Sequence, residues 1–178
     1  MFRQSSLTLI GMPGCGKTYW GKQLAQRLWL PALDIDDLIV ERAGGRSLPK
    51  LLQSTVEGER VLKQLENNCL RQVLDTKLHT GSPTIISTGG SAIYAECAAE
   101  FFRHPLNFVI HLDVPMDVLE QRTENFTNRG IVFNGMTPAQ LKASRDVLYR
   151  QYADLSIPMR EGTDLIQLLA SGFGIPLI

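Results

Sequence analysis

One run of residues, Gly11-Met-Pro-Gly-Cys-Gly-Lys17-Thr18, constrains this chain more than any other feature. It fits the pattern G-x-x-x-x-G-K-[ST]. Before it stands a short apolar run, residues 6–10, that reads as a buried strand. After it, residues 17–29 read as a helix, with Leu24, Ala25 and Leu28 on one side. A strand that turns through glycines into a helix start presents a nest of backbone N–H groups to anionic oxygens. Gly11, Gly14 and Gly16 let the backbone close round a phosphate with no Cβ in the way. In such a loop Lys17 reaches the β- and γ-phosphates of ATP, and the Thr18 hydroxyl ligates Mg²⁺. Cys15 contributes its backbone to the cradle, and its thiol is expected to point away from the nucleotide. The bland alternative is a glycine-rich turn with a solvated lysine; the strand before and the helix after argue against it.

The remainder alternates between short apolar runs and stretches of helical period. Strands are predicted over 32–35, 83–87, 107–112 and 155–158. Helices are predicted over 37–43, 48–53, 57–78, 94–102, 116–123, 137–153 and 164–170. The 57–78 helix carries Val61, Leu62, Leu65, Cys69, Leu70, Val73 and Leu74 three or four apart. The 137–153 helix opens with Thr137 as N-cap, Pro138 in the first turn and Gln140 three after the cap. Residues 124–136, ENFTNRGIVFNGM, are rich in asparagine and glycine and read as a mobile loop. Alternation of this kind predicts an α/β fold with a parallel sheet covered on both faces. No linker composition divides the chain, so residues 1–178 are expected to form one domain.

Global charge narrows the partners. Lys+Arg and Asp+Glu are both 18, so no net field favours nucleic acid or an anionic membrane. A small-molecule partner is the expectation, with neither nucleic acid nor membrane. Cys15, Cys69 and Cys97 form neither a disulfide framework nor a zinc pattern and are expected to be reduced. No signal peptide or membrane-spanning run is evident, so a cytoplasmic protein is expected, as a monomer.

Three further groups bear on chemistry. Asp34-Ile-Asp36 closes the predicted second strand, and ligands of open α/β sheets sit at such carboxyl ends. Alternation along a strand would put Asp34 and Asp36 on one face. One carboxylate could then hold Mg²⁺, and the other could accept the proton of an attacking hydroxyl. Helix capping is the competing role for these acids and for Asp37. Gly89 and Gly90 follow the third strand and either admit a ligand to the backbone or simply make a turn. Arg122, Arg129, Arg145 and Arg150 bracket the 124–136 loop. Arginines suit phosphates and carboxylates, although any one of them is more ordinarily a surface residue.

Taken together, these residues resemble the shikimate kinase family from about residue 7 to 169. The resemblance implies a nucleoside-monophosphate-kinase-like, three-layer α/β/α fold with a five-stranded parallel sheet. It implies a substrate-binding helical part at about 37–66 and a lid at about 124–136. It implies that ATP phosphorylates the 3-hydroxyl of shikimate, with Asp36 as base and Asp34 near Mg²⁺. Gly45-Arg46-Ser47 is similar to a step that follows the acids in many members. By the same resemblance Arg122 faces adenine, Arg129 is the catalytic lid arginine, and Arg145, with Tyr149 after it, grips the substrate carboxylate.

The chain departs from the family at three places, all on the substrate side. Gly58-Glu59-Arg60-Val61-Leu62-Lys63 has a lysine where the family has a second carboxylate arginine. Lysine keeps the charge but loses the bidentate fork, and Arg60 stands nearby as a substitute. The third of three glycines becomes Ser91, and the lid's Arg-Pro-Leu becomes Arg129-Gly130-Ile131. Substrate contacts are therefore expected from Asp36, Lys63, Gly89, Gly90 and Arg145. Rival readings are a related kinase of another small polyol or carboxylate, a nucleotide-binding regulator with little catalysis, and a nucleoside-monophosphate kinase.

Overall fold

The computed structural model describes residues 6–52, 56–122 and 135–173. Five strands form one sheet in the order β2-β3-β1-β4-β5. They are β1 (Ser6–Ile10), β2 (Ala32–Asp34), β3 (Ile85–Ser87), β4 (Asn107–Asp113) and β5 (Leu155–Pro158). Every pairing is parallel. Burial explains this choice. Residues of β1 and β3 are buried on both sides, as parallel strands covered by helices must be. The chain leaves β1 toward one edge of the sheet and later fills the other edge with β4 and β5. At such a reversal ligands sit beyond the carboxyl ends of the strands.

The helices are α1 (Lys17–Leu28), α2 (Ile35–Arg42), α3 (Leu48–Leu52), α4 (Val56–Val73), α5 (Ala98–Phe102), α6 (Met116–Arg122), α7 (Pro138–Tyr152) and α8 (Leu165–Phe173). α4 buries Leu62, Cys69, Leu70 and Val73, the stripe its spacing predicts. The predicted 57–78 helix does not run through uniformly. From Leu74 to Leu78 the turns widen, with His79 N donating to Leu74 O at 2.9 Å. The predicted 94–102 helix is likewise two pieces, a 3₁₀ turn at Ala92–Tyr94 and then α5, because Ala95 between them is extended. The three cysteines are free and buried. Among the described residues, no helix is long and apolar enough to cross a membrane.

α7 carries the capping box that its sequence predicts. Thr137 Oγ1 accepts from Gln140 N at 3.2 Å, and Gln140 Oε1 accepts from Thr137 N at 2.9 Å. Thr137→Ala should cost about 1 kcal/mol, a fall in Tm of about 2–4 °C that calorimetry would register. Charge fixes the same helix against β4. Lys142 Nζ bridges Asp113 and Asp146, and Arg150 reaches Asp113 at 3.2 Å. These ties leave Arg145 and Tyr149 buried on the inner face of α7.

Candidate active site

The glycine loop joins β1 to α1. Gly11, Gly14 and Gly16 all have positive φ, at 143°, 83° and 99°. A Cβ on Gly11 would stand 2.8 Å from Leu112 O and 3.0 Å from Cys15 Sγ, so only glycine fits there. Lys17 is buried, and its Nζ donates to Gly11 O at 2.8 Å and Met12 O at 3.0 Å. The ammonium is thereby drawn back over its own loop, beside Cys15 Sγ at 3.6 Å. Cys15 is fully buried, and its side chain lies within the loop.

The two acids are placed differently from the strand alternation expected above. β2 stops at Asp34, and Asp36 belongs to the first turn of α2. The cause is local: Asp34 is the N-cap, its Oδ1 accepting from Asp36 N at 3.0 Å. Its other oxygen, Oδ2, accepts from the Thr18 hydroxyl at 2.7 Å. One carboxylate thus caps α2, orients Asp36 and joins the start of α1. Thr18 and Asp34 together present hydroxyl and carboxylate oxygens, the hard donors that Mg²⁺ takes. Asp37 is exposed and lies in the first turn of α2, whose N-cap is Asp34.

A cleft of about 610 Å³ opens above these residues, lined by Gly14, Gly16, Lys17 and Thr18 at one end and by Asp36, Gly89, Gly90 and Arg145 at the other. Glycine is required at its floor. A Cβ on Gly89 would stand 2.6 Å from Glu66 Oε1 and 2.9 Å from Asp36 Oδ1. Gly90 packs on the phosphate loop: its Cβ would meet Pro13 Cδ at 2.7 Å and the Arg145 guanidinium at 3.1 Å. Tyr149 pins this turn by donating from its hydroxyl to Gly90 O at 2.7 Å. Gly89→Ala should leave the fold intact and lower kcat/KM about 10²-fold, because both carboxylates must move. Steady-state kinetics beside a circular dichroism spectrum would check it.

Arg145 is 3% exposed, and its Nε has no hydrogen-bond partner among the described residues. A buried guanidinium nitrogen without an acceptor is costly unless a ligand supplies one. Arg122 lies on the same cleft, in the last turn of α6. Lys63 does not. It is exposed and borders a neighbouring cavity instead. Arg150 is exposed and paired with Asp113. Arg129, Gly130 and most of the 124–136 loop lie outside the described residues.

Glu66 is the residue that sequence reading passed over. It sits on α4 in the apolar stripe, between Leu62 and Leu70, is 4% exposed and lines the cleft. A lone acid in such a stripe was the available signal. Burial pushes its carboxyl up to about 7, a neighbouring Asp36 charge adding to the rise and the Ser91 hydrogen bond opposing it. Burial likewise pushes Asp36 up to about 6; the charges of Asp34 and Asp37 add to this and Lys17 opposes it. A carboxylate of raised basicity, facing the same cleft as a phosphate loop, suits proton abstraction near neutral pH.

Comparison with known proteins agrees with this geometry. The family model for shikimate kinase matches residues 13–168. The shikimate kinase of Cereibacter sphaeroides is 32% identical over 163 residues, covering 90% of this chain and 77% of that protein. The shikimate kinase of Neisseria gonorrhoeae is 32% identical, with 92% of each chain covered. The solved structure of shikimate kinase from Acinetobacter baumannii in complex with shikimate superposes with a TM-score of 0.75, at 27% identity over 95% of this chain and 94% of that one. A P-loop on a five-stranded parallel sheet, matched along most of its length by these relatives, makes this chain a member of the shikimate kinase family.

Proposed function

We propose that this protein transfers the γ-phosphoryl group of ATP to the 3-hydroxyl of shikimate, giving shikimate 3-phosphate and ADP. One observation carries the reading: Lys17 and its phosphate loop share a single cleft with Asp36 and Arg145. Asp36 takes the proton of the attacking hydroxyl. That oxygen forms the new bond to phosphorus as the bond to the ADP oxygen breaks. Lys17 offsets charge on the phosphoryl oxygens, and Arg129 is assigned the same task from the lid. Thr18 and Asp34 would hold Mg²⁺, which would supply positive charge to the phosphates. Arg122 packs on the adenine. Gly89 and Gly90 let the acceptor ring rest on backbone, and Arg145 receives its carboxylate.

Purified protein with ATP, Mg²⁺ and millimolar shikimate should release ADP in step with shikimate 3-phosphate. Intact ATP binding with no such product overturns the reading. A second reading keeps the kinase and replaces shikimate by another small hydroxylated carboxylate. Its support is the absence of Lys63 from the cleft and the side chain at Ser91. A panel of such acceptors in the same assay separates the two.

A further inference from the structure

The cleft has a neighbour. A second cavity of about 640 Å³ lies on the far side of Glu66 and Ser91, which border both spaces. Arg60, Lys63, Asn68 and Tyr94 line the second cavity, whereas Arg145 lines the cleft. The partition between them is built from the buried Glu66 and the half-buried Ser91, which are bonded to each other. Ser91 Oγ donates to Glu66 Oε1 at 3.1 Å. That same oxygen presses on Gly89, where a Cβ would come within 2.6 Å of it. Beside the partition the Arg145 guanidinium lies over the Tyr94 ring at 5.7 Å, joining the cleft wall to the wall of the second cavity.

We propose that Ser91 is a specificity-determining residue of the acceptor site: by holding Glu66 in the partition, it closes the cleft against hydroxy acids extended at their carboxyl end. This deepens the assignment of a hydroxylated carboxylate as acceptor and rests on it. The physical reason is the hydrogen bond that holds Glu66 between the two spaces. From the cleft side it faces Asp36 on α2, Lys17 on α1 and Arg145 on α7. Across the partition, Lys63 of its own helix borders the second cavity, as does Arg60, which is paired with Glu57 at 2.8 Å. The Ser91 hydroxyl is the donor that keeps the carboxylate between these two sets. Without that hydroxyl Glu66 Oε1 loses its bond to the turn after β3, the side chain is released from the partition, and the two spaces join. A longer acceptor then reaches through and sets its carboxylate near Lys63.

The test compares the wild-type protein with Ser91→Gly, Ser91→Ala and Ser91→Thr. The acceptors are shikimate and its homologue with one methylene inserted between ring and carboxyl group. Ser91→Gly should raise kcat/KM for the homologue relative to shikimate by about tenfold, through the acceptor's KM and with KM for ATP unchanged. Ser91→Ala should move the ratio in the same direction, and Ser91→Thr, which keeps the hydroxyl, should hold the wild-type ratio. An unchanged ratio in Ser91→Gly, with shikimate still turned over, overturns the proposal. A wild-type protein that turns over no shikimate overturns the acceptor assignment instead. The hold of Ser91 on Glu66 is then read by ¹³C NMR titration of the Glu66 carboxyl carbon. Loss of a hydrogen bond to the ionised form should raise its pKa in Ser91→Ala but not in Ser91→Thr. Equal titration in the two variants overturns that hold.

Discussion

Asp36→Asn is expected to lower kcat by about 10²–10⁴-fold while KM for ATP stays within about twofold. Asparagine fills the same space and keeps the α2 cap, since Asp34 bonds the backbone N–H of residue 36 and not its side chain. What it loses is the capacity to take a proton. Burial and the Asp34 charge hold the Asp36 carboxyl at about 6. The base works only when ionised. Wild-type kcat/KM should therefore be level above that value and fall as pH drops through it, and the variant should lack this limb. Stability carries the opposite sign. Between the ordinary carboxylate range and about 7, the folded chain holds protons on Asp36 and Glu66 that the unfolded chain has released. The folded state is then the greater proton binder, so stability declines as pH rises through that window. Asp36→Asn removes part of the decline, and its Tm at pH 7.5 should exceed that of the wild type even as turnover collapses. Wild-type turnover in this variant would end the assignment of Asp36 as base.

Lys17→Ala should reduce kcat by about 10²–10³-fold and, unlike the change at Asp36, also raise KM for ATP. The ammonium rests on Gly11 O and Met12 O, inside the loop that would cradle the phosphates, and it is buried with them. Alanine leaves those carbonyls facing the phosphates with no cation between. Arginine is not expected to rescue, because its planar guanidinium is larger than the space the loop gives a point charge. Stabilisation by ATP against heat supplies a readout independent of chemistry. It should be lost in Lys17→Ala and kept in Asp36→Asn. Full stabilisation by ATP in Lys17→Ala would place the nucleotide elsewhere.

Much of this molecule was legible in the chain because the relevant physics is local. The α7 capping box needs only Thr137, Pro138 and Gln140 in order, and it forms as read. Loop glycines next to a buried strand and a helix start announce themselves in the same way. The Asp34-Ile-Asp36 step defeated local reading because two local rules compete there. Strand alternation and N-capping both accept aspartates at that spacing. Pairing of β2 with β3 ends at Asp34 opposite Ser87, and capping takes over from that point.

The charged side chains around the acceptor mark the boundary. Lys63 and Arg145 were equally eligible cations in the chain, yet Lys63 opens onto the second cavity and Arg145 onto the cleft. Glu66, one acid in an apolar stripe, drew no expectation from the chain; the turn after β3 sets Gly89 and Ser91 against it. The sequence by itself determined a phosphate-binding loop on a parallel α/β sheet, because glycine freedom, helical period and capping act over a few neighbouring residues. Only the tertiary structure decided which distant charges share the acceptor cleft, because burial and electrostatic pairing depend on what the folded chain brings within a few ångströms.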